Sequence, residues 1–213
     1  MTLQNKIDGE IFQNTLKILK KLINFKTVSG KSNLELIDYC ENELKKSGAT
    51  SSKTFNKSKT QANLFSTIKG VNSSDKGIVL SGHTDVVPAI ASEWTSDPYI
   101  AREKDNKVFG RGTCDMKGFI ACTLAVAPFF DSKKLKKPIH FSFTFDEETG
   151  CLGAPLVLAD LKKKNLNFSA CIIGEPTNMK PIIAHKGYNE YVTHFTGLSG
   201  HASNPNDGAS AVE

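Results

Sequence analysis

Apolar residues recur at helical spacing near the start of the chain: Ile11, Phe12, Leu16, Leu19, Leu22 and Ile23, with Thr15 among them. The pattern predicts a helix over 10–25. A second helix is predicted over 32–46, with Leu34, Ile37, Tyr39, Cys40 and Leu44 on its inner side and Gly48 as its stop. The period then shortens. Strands are predicted at 63–68 and 77–81, the second around the continuous apolar run Ile78-Val79-Leu80. A helix over 115–130, a strand over 138–145, a helix over 150–161 and another buried strand over 170–174 follow. Strands alternating with helices give an α/β class with a mostly parallel central sheet flanked by helices.

Past His185 the texture changes. Tyr188, Glu190, Val192, His194 and Thr196 alternate with Asn189, Tyr191, Thr193 and Phe195, which suits a strand of a new sheet. Residues 197–201 read as a turn and Asn206-Asp207-Gly208 as a helix N-terminus, although a single helical turn cannot sustain itself. Two domains are therefore expected. Residues 1–186 form a first domain that lacks its C-terminal part, and 187–213 begin a second, α+β domain that is cut short.

Composition acts mainly by exclusion. With 213 residues, 39% hydrophobic and 23% charged, the chain has the make-up of a soluble globular protein. No apolar run approaches the roughly 18 residues of a membrane span. The N-terminal residues lack the apolar stretch of a signal peptide. Membrane and secreted roles are set aside in favour of the cytoplasm. The net charge of +5 is mild, and Arg102 and Arg111 are the only arginines. That argues against nucleic acid, where forked guanidinium contacts are expected. The lysine runs at 133–137 and 162–164 read as solvated helix ends. Five cysteines, widely spaced and without a C-x-x-C pair, suit free thiols in a reducing compartment and exclude a thiolate zinc cluster.

Three predicted strands run into the same kind of segment. The first leads into Ser81-Gly82-His83-Thr84-Asp85, another into Asp146-Glu147-Glu148, and a third into Gly174-Glu175-Pro176. A further carboxylate, Asp115, opens a predicted helix. Ligands of open α/β sheets bind beyond the carboxyl ends of the strands. One histidine and five carboxylates (Asp85, Asp115, Glu147, Glu148 and Glu175) on one sheet edge would repel without a cation. Oxygen donors with one imidazole suit zinc, manganese or cobalt. Taken singly, His83 reads equally as a satisfied loop histidine, Asp115 as a helix cap, Glu147-Glu148 as a solvated pair and Glu175 as turn chemistry. Their joint placement favours a metal site.

The segments Leu80-Ser81-Gly82-His83-Thr84-Asp85-Val86-Val87 and Gly110-Arg111-Gly112-Thr113-Cys114-Asp115-Met116-Lys117-Gly118 resemble the two signatures of the metal-dependent amidohydrolase and peptidase family. That family includes acetylornithine deacetylase, succinyl-diaminopimelate desuccinylase, aminoacylases and carboxypeptidases. The stretches 145–153 and 173–179 fit as well, and Ala184-His185-Lys186-Gly187 is most similar to the acetylornithine deacetylase branch. The resemblance covers about residues 10–213, the front portion of a family member. It implies a zinc-peptidase-like catalytic domain followed by a lid or dimerisation domain. It also implies removal of the acetyl group from N-acetyl-L-ornithine in arginine biosynthesis. Desuccinylase, aminoacylase or carboxypeptidase activity is the alternative within the class. A non-catalytic metal-binding fragment, or half of a split enzyme, is the alternative outside it.

By the same resemblance His83 and Glu175 hold the first metal (Zn2+, with Co2+ or Mn2+ as substitutes), Glu148 the second, and Asp115 bridges both. Asp85, two residues from His83, accepts the other imidazole N–H on its carboxylate and so fixes the tautomer, Glu147 is the general base, and His201 stabilises the oxyanion. The substrate is a small N-acyl amino acid and the full-length form a homodimer. The peptide between Asp115 and Met116 is implied to be cis. The family's late histidine for the second metal has no counterpart here, so one tightly held ion per chain is expected.

Overall fold

The computed structural model describes residues 3–72, 76–187 and 189–212. Those residues divide into two compact units, 1–176 and 177–213. In the first unit the chain opens with helix α1 (Leu3–Asn24) and helix α2 (Leu34–Lys46). Ile18, Leu19, Leu22 and Ile23 of α1 and Leu36, Ile37, Cys40 and Leu44 of α2 are buried together in one apolar cluster. Gly48, at a φ of 78° that side chains disfavour, lets the chain leave α2 and enter the sheet.

Five strands make the sheet: β1 (Thr50–Phe55), β2 (Ala62–Ile68), β3 (Gly77–His83), β6 (Ile139–Thr144) and β7 (Phe168–Ile173), in the order β1-β2-β6-β3-β7. A separate hairpin pairs β4 (Arg102–Lys104) with β5 (Lys107–Phe109). β3 pairs in parallel with β6 and β7, whereas β2 runs antiparallel to both of its neighbours. Four of the five strands thus point one way, with β2 the exception. The flanking helices α3 (Lys117–Val126) and α4 (Ala154–Lys163) complete the layers. Leu64 of β2 packs with Phe141, Phe143 and residues of α1, α2 and α3, while the next residue, Phe65, packs with Val157 and Leu161 of α4. Successive strand residues face opposite sides, so helices cover both faces.

Several expected boundaries move for identifiable reasons. The helix expected over 115–130 ends at Val126 because Pro128 has no N–H to continue it. The helix expected from 150 starts at Ala154. Gly150 and Cys151 take left-handed φ of 111° and 59°, and Pro155 occupies the first turn. β1 escapes a hydrophobicity reading because Thr50 to Thr54 are all polar, and its one apolar residue, Phe55, is exposed. The β4–β5 hairpin escapes it too, although Asp105 and Asn106, both at positive φ (51° and 58°), make the kind of two-residue turn that joins such strands.

The strand at 168–173, expected to be buried, is instead the edge of the sheet. Ser169 to Ile173 are exposed, and among the described residues no strand pairs with its outer side. An apolar run has the same composition at an edge as at a centre.

In the second unit the alternating stretch forms no strand among its described residues, 189–196, and Tyr188 lies outside the described residues. A strand needs a partner for its N–H and C=O groups, and these residues are exposed with none. The unit holds a bridge between Leu198 and Ala209 and a single 3-10 turn at Pro205–Asp207, in place of the expected helix start.

Candidate metal centre

His83 ends β3, Glu147 and Glu148 follow β6, and Glu175 lies just beyond β7. These three strands are parallel neighbours, so their carboxyl ends meet on one edge of the sheet. Asp115 enters from the side, immediately before α3. The Asp115–Met116 peptide is cis, as the resemblance implies. Gly174 lets the chain pass close over the Phe119 ring on its way to Glu175; a Cβ there would overlap that ring.

His83, Asp115 and Glu175 each offer a ligand atom within 4.8 Å of the others. His83 Nε2 lies 3.0 Å from Asp115 Oδ1 and 3.8 Å from Glu175 Oε1. Glu147 Oε2 is 3.9 Å from the same nitrogen, and its side chain is 38% exposed. Glu148 is not one of the three that share this radius. Burial raises its pKa and the charge of Asp115 adds to the shift, which places Glu148 among the same anions. His201 is exposed in the second unit, its Nδ1 2.7 Å from Ser203 Oγ.

The electrostatics are those of a site short of positive charge. Burial by itself would lower the pKa of His83. The Asp85 carboxylate beside the ring, with the charge of Glu175 and the hydrogen bond to Asp115, outweighs that and pushes it to about 9. Glu175 moves up to about 7 through burial and the charges of Asp115 and Glu147, against the opposing pull of His83. Without a cation, protons on the ring and on Glu175 relieve the repulsion. A divalent ion would take their place, and one imidazole with carboxylate oxygens fits zinc, manganese or cobalt.

The expectation for Asp85 needs correcting in its geometry. His83 Nδ1 donates to the main-chain carbonyl of Asp85 at 2.9 Å, while the nearer carboxylate oxygen stands 3.5 Å away. The tautomer that leaves Nε2 free for a metal is therefore set by the backbone. The carboxylate points elsewhere because three donors claim it: Ser29 Oγ at 2.8 Å, Glu147 N–H at 3.0 Å and Glu148 N–H at 3.3 Å. Burial would raise the pKa of Asp85, but the neighbouring His83 ring and the hydrogen bonds from Ser29 and Glu147 N–H hold it below the usual carboxylate range.

Several supporting residues carried no role in the sequence reading. Met116 Sδ accepts the His83 N–H at 3.2 Å. Lys117, fully buried, donates to the carbonyls of Leu22 and Phe25 at 3.1 and 2.7 Å, where α1 ends. A cation suits the negative end of a helix, and burial brings this ammonium down to about 7. Asp146, beside the acid pair, is buried and takes hydrogen bonds from Gly30 N–H and Gln61 Nε2, both at 2.7 Å. It braces the loop through these two bonds. Asn33 ties α2 to the sheet by bonding Ala62 through both its amide atoms and Thr84 through its Nδ2. Replacing Asn33 by alanine leaves these buried groups unpaired, and should lower stability by about 1–3 kcal/mol in denaturant unfolding. An unchanged midpoint would remove Asn33 from the framework.

Comparison with known proteins follows the same lines. The profile of peptidase family M20/M25/M40 matches residues 79–205. Acetylornithine deacetylases of Salmonella typhimurium and Edwardsiella ictaluri are 43% and 41% identical over 151 residues, 71% of this chain and 39% of each relative. The chain thus spans about two fifths of the length of the curated relatives it matches. Among solved structures, human carnosine dipeptidase 1 aligns with a TM-score of 0.64 at 20% identity, over 81% of this chain and 41% of that one. An M20 metallo-carboxypeptidase of Sulfolobus solfataricus gives 0.65 at 21% identity, over 75% and 37%. No helix among the described residues is long and apolar enough to cross a membrane.

Proposed function

The chain belongs to peptidase family M20/M25/M40, and from that premise we propose that it is a divalent-metal amide hydrolase removing the acetyl group from N-acetyl-L-ornithine. The meeting of His83, Asp115 and Glu175 within 4.8 Å carries the metal reading. Sequence similarity to acetylornithine deacetylases supports the substrate, whereas the structural likenesses speak for the fold alone.

In this reading His83, Asp115 and Glu175 would hold zinc, and Glu148 together with Asp115 would hold a second ion. A bound divalent ion supplies Lewis acidity, polarising the scissile carbonyl and making water acidic near neutral pH. Glu147, at the rim of the site, takes the proton of the attacking water and hands it to the departing amine. The Asp85 backbone holds the His83 tautomer. His201 stabilises the tetrahedral oxyanion across a homodimer in the full-length form. The substrate is a small N-acyl amino acid, and the setting is arginine biosynthesis in the cytoplasm.

The test is metal removal and return. Elemental analysis of dialysed protein should find about one tightly held zinc per chain, the site with three protein ligands. Zinc at about a hundredfold excess over its dissociation constant should stabilise the stripped chain by about 2.7 kcal/mol, and acetate release from N-acetylornithine should depend on it. A thermal midpoint indifferent to chelator counts against the metal centre. Preference for a succinylated or dipeptide substrate keeps the chemistry and overturns the substrate. Tight zinc without any hydrolysis makes the chain a binding fragment or one half of a split enzyme.

A further inference from the structure

We propose that Ser29 is a positioning residue of the metal centre: its hydroxyl fixes the Asp85 carboxylate, which in turn holds the backbone that presents Glu147 and Glu148. This rests on reading the site as a divalent-metal centre.

Residues 27–30 form a clamp over the tips of two strands. At the β3 tip, Thr27 Oγ1 donates to the Thr84 carbonyl at 2.6 Å, and Ser29 N–H donates to the Val86 carbonyl at 3.1 Å. At the β6 tip, Gly30 N–H donates to Asp146 Oδ1 at 2.7 Å. The Ser29 hydroxyl reaches the buried Asp85 carboxylate, with a longer 3.4 Å contact to the Val86 carbonyl. It gives Asp85 Oδ2 a 2.8 Å hydrogen bond, and the other donor to that oxygen is the longer 3.3 Å contact from Glu148 N–H. The opposite oxygen, Oδ1, accepts Glu147 N–H at 3.0 Å and lies 3.5 Å from His83 Nδ1.

One buried carboxylate thus stands 3.5 Å from the histidine's Nδ1 and at the same time accepts the backbone N–H groups of the proposed base and second-site ligand. Its rotation about the Cβ–Cγ bond is set by donors on both oxygens. With the Ser29 hydroxyl gone, Oδ2 keeps only its weakest contact. The carboxylate then turns, drawing Oδ1 away from both Glu147 N–H and His83. Loss of a direct partner of a metal's ligands commonly changes its affinity by about 10–100-fold, and Ser29, one step further out through Asp85, belongs at the low end of that range. The bonds made by Thr27, Gly30 and the Ser29 backbone survive the substitution and keep the loop in place.

The experiment is a zinc titration of the whole chain against a competing indicator, run beside thermal unfolding of the metal-free protein. Ser29→Ala is expected to weaken zinc about tenfold, and Ser29→Thr, which keeps the hydroxyl, to restore it. Thr27→Val removes a neighbouring bond of the same loop without touching Asp85, and should lower the thermal midpoint while leaving zinc affinity unchanged. Should Ser29→Ala not fold, Ser29→Cys keeps the volume with a weaker donor and carries the same comparison. Wild-type affinity in Ser29→Ala, or equal weakening in Thr27→Val, overturns the positioning role. Absence of zinc binding in the wild type is a separate result that removes the metal reading first and this inference with it.

Discussion

Asp115→Ala is expected to abolish tight zinc binding while the fold survives. Asp115 contributes an oxygen 3.0 Å from His83 Nε2, and its side chain is 48% exposed, so little packing depends on it. Its loss leaves two of the three clustered donors, His83 and Glu175, which is fewer than the three protein ligands of a catalytic zinc site. The loss should exceed the roughly 100-fold seen when outer partners of a metal site are removed. Because one anion of a crowded set departs, the metal-free variant should melt no lower than the metal-free wild type. Calorimetric zinc titration with thermal scans in chelator decides the matter. If the variant keeps zinc within about tenfold of wild type, the shared-ligand role of Asp115 is wrong.

Glu147→Gln is expected to do the opposite, keeping zinc while losing turnover by about 10²–10⁴-fold. Its carboxylate lies 3.9 Å from His83 Nε2, outside the three-residue cluster. The amide preserves the shape but cannot take up a proton and deliver it to the leaving amine. The comparison belongs in whichever polypeptide context gives the wild-type residue measurable acetate release. Near-normal turnover would move the base elsewhere. Loss of zinc as complete as in Asp115→Ala would make Glu147 a ligand. The pair of variants therefore separates holding the metal from moving the proton, which neither resolves alone.

Much of the centre was legible in the chain because its chemistry sits beside local landmarks. His83 closes a strand, Glu147 and Glu148 follow one, Glu175 lies just past a third, and Asp115 opens a helix. A parallel sheet brings such positions together almost by construction. The run Ile78-Val79-Leu80 of β3 also announced itself, since a strand covered on both faces carries continuous apolar side chains.

What the residues could not announce is pairing across distance. Ser29 lies 56 residues from Asp85, and Gly30 lies 116 residues from Asp146, so no local pattern connects them. Asp146 carries the same carboxylate as Glu147 and Glu148, yet it faces inward to Gly30 and Gln61. The same limit applies to β7, whose apolar composition reads as buried although its strand stands at the edge, and to the alternating stretch after Gly187, which has no partner to make it a strand. The donor types, the strands that carry them and the shared sheet edge were readable along the chain, because each depends on residues adjacent in it. The tertiary structure decided which oxygens face His83, which atom of Asp85 holds its ring, and which carboxylate serves as a brace. Those outcomes depend on the direction of individual donors and acceptors, which is fixed only when segments far apart in the chain are packed together.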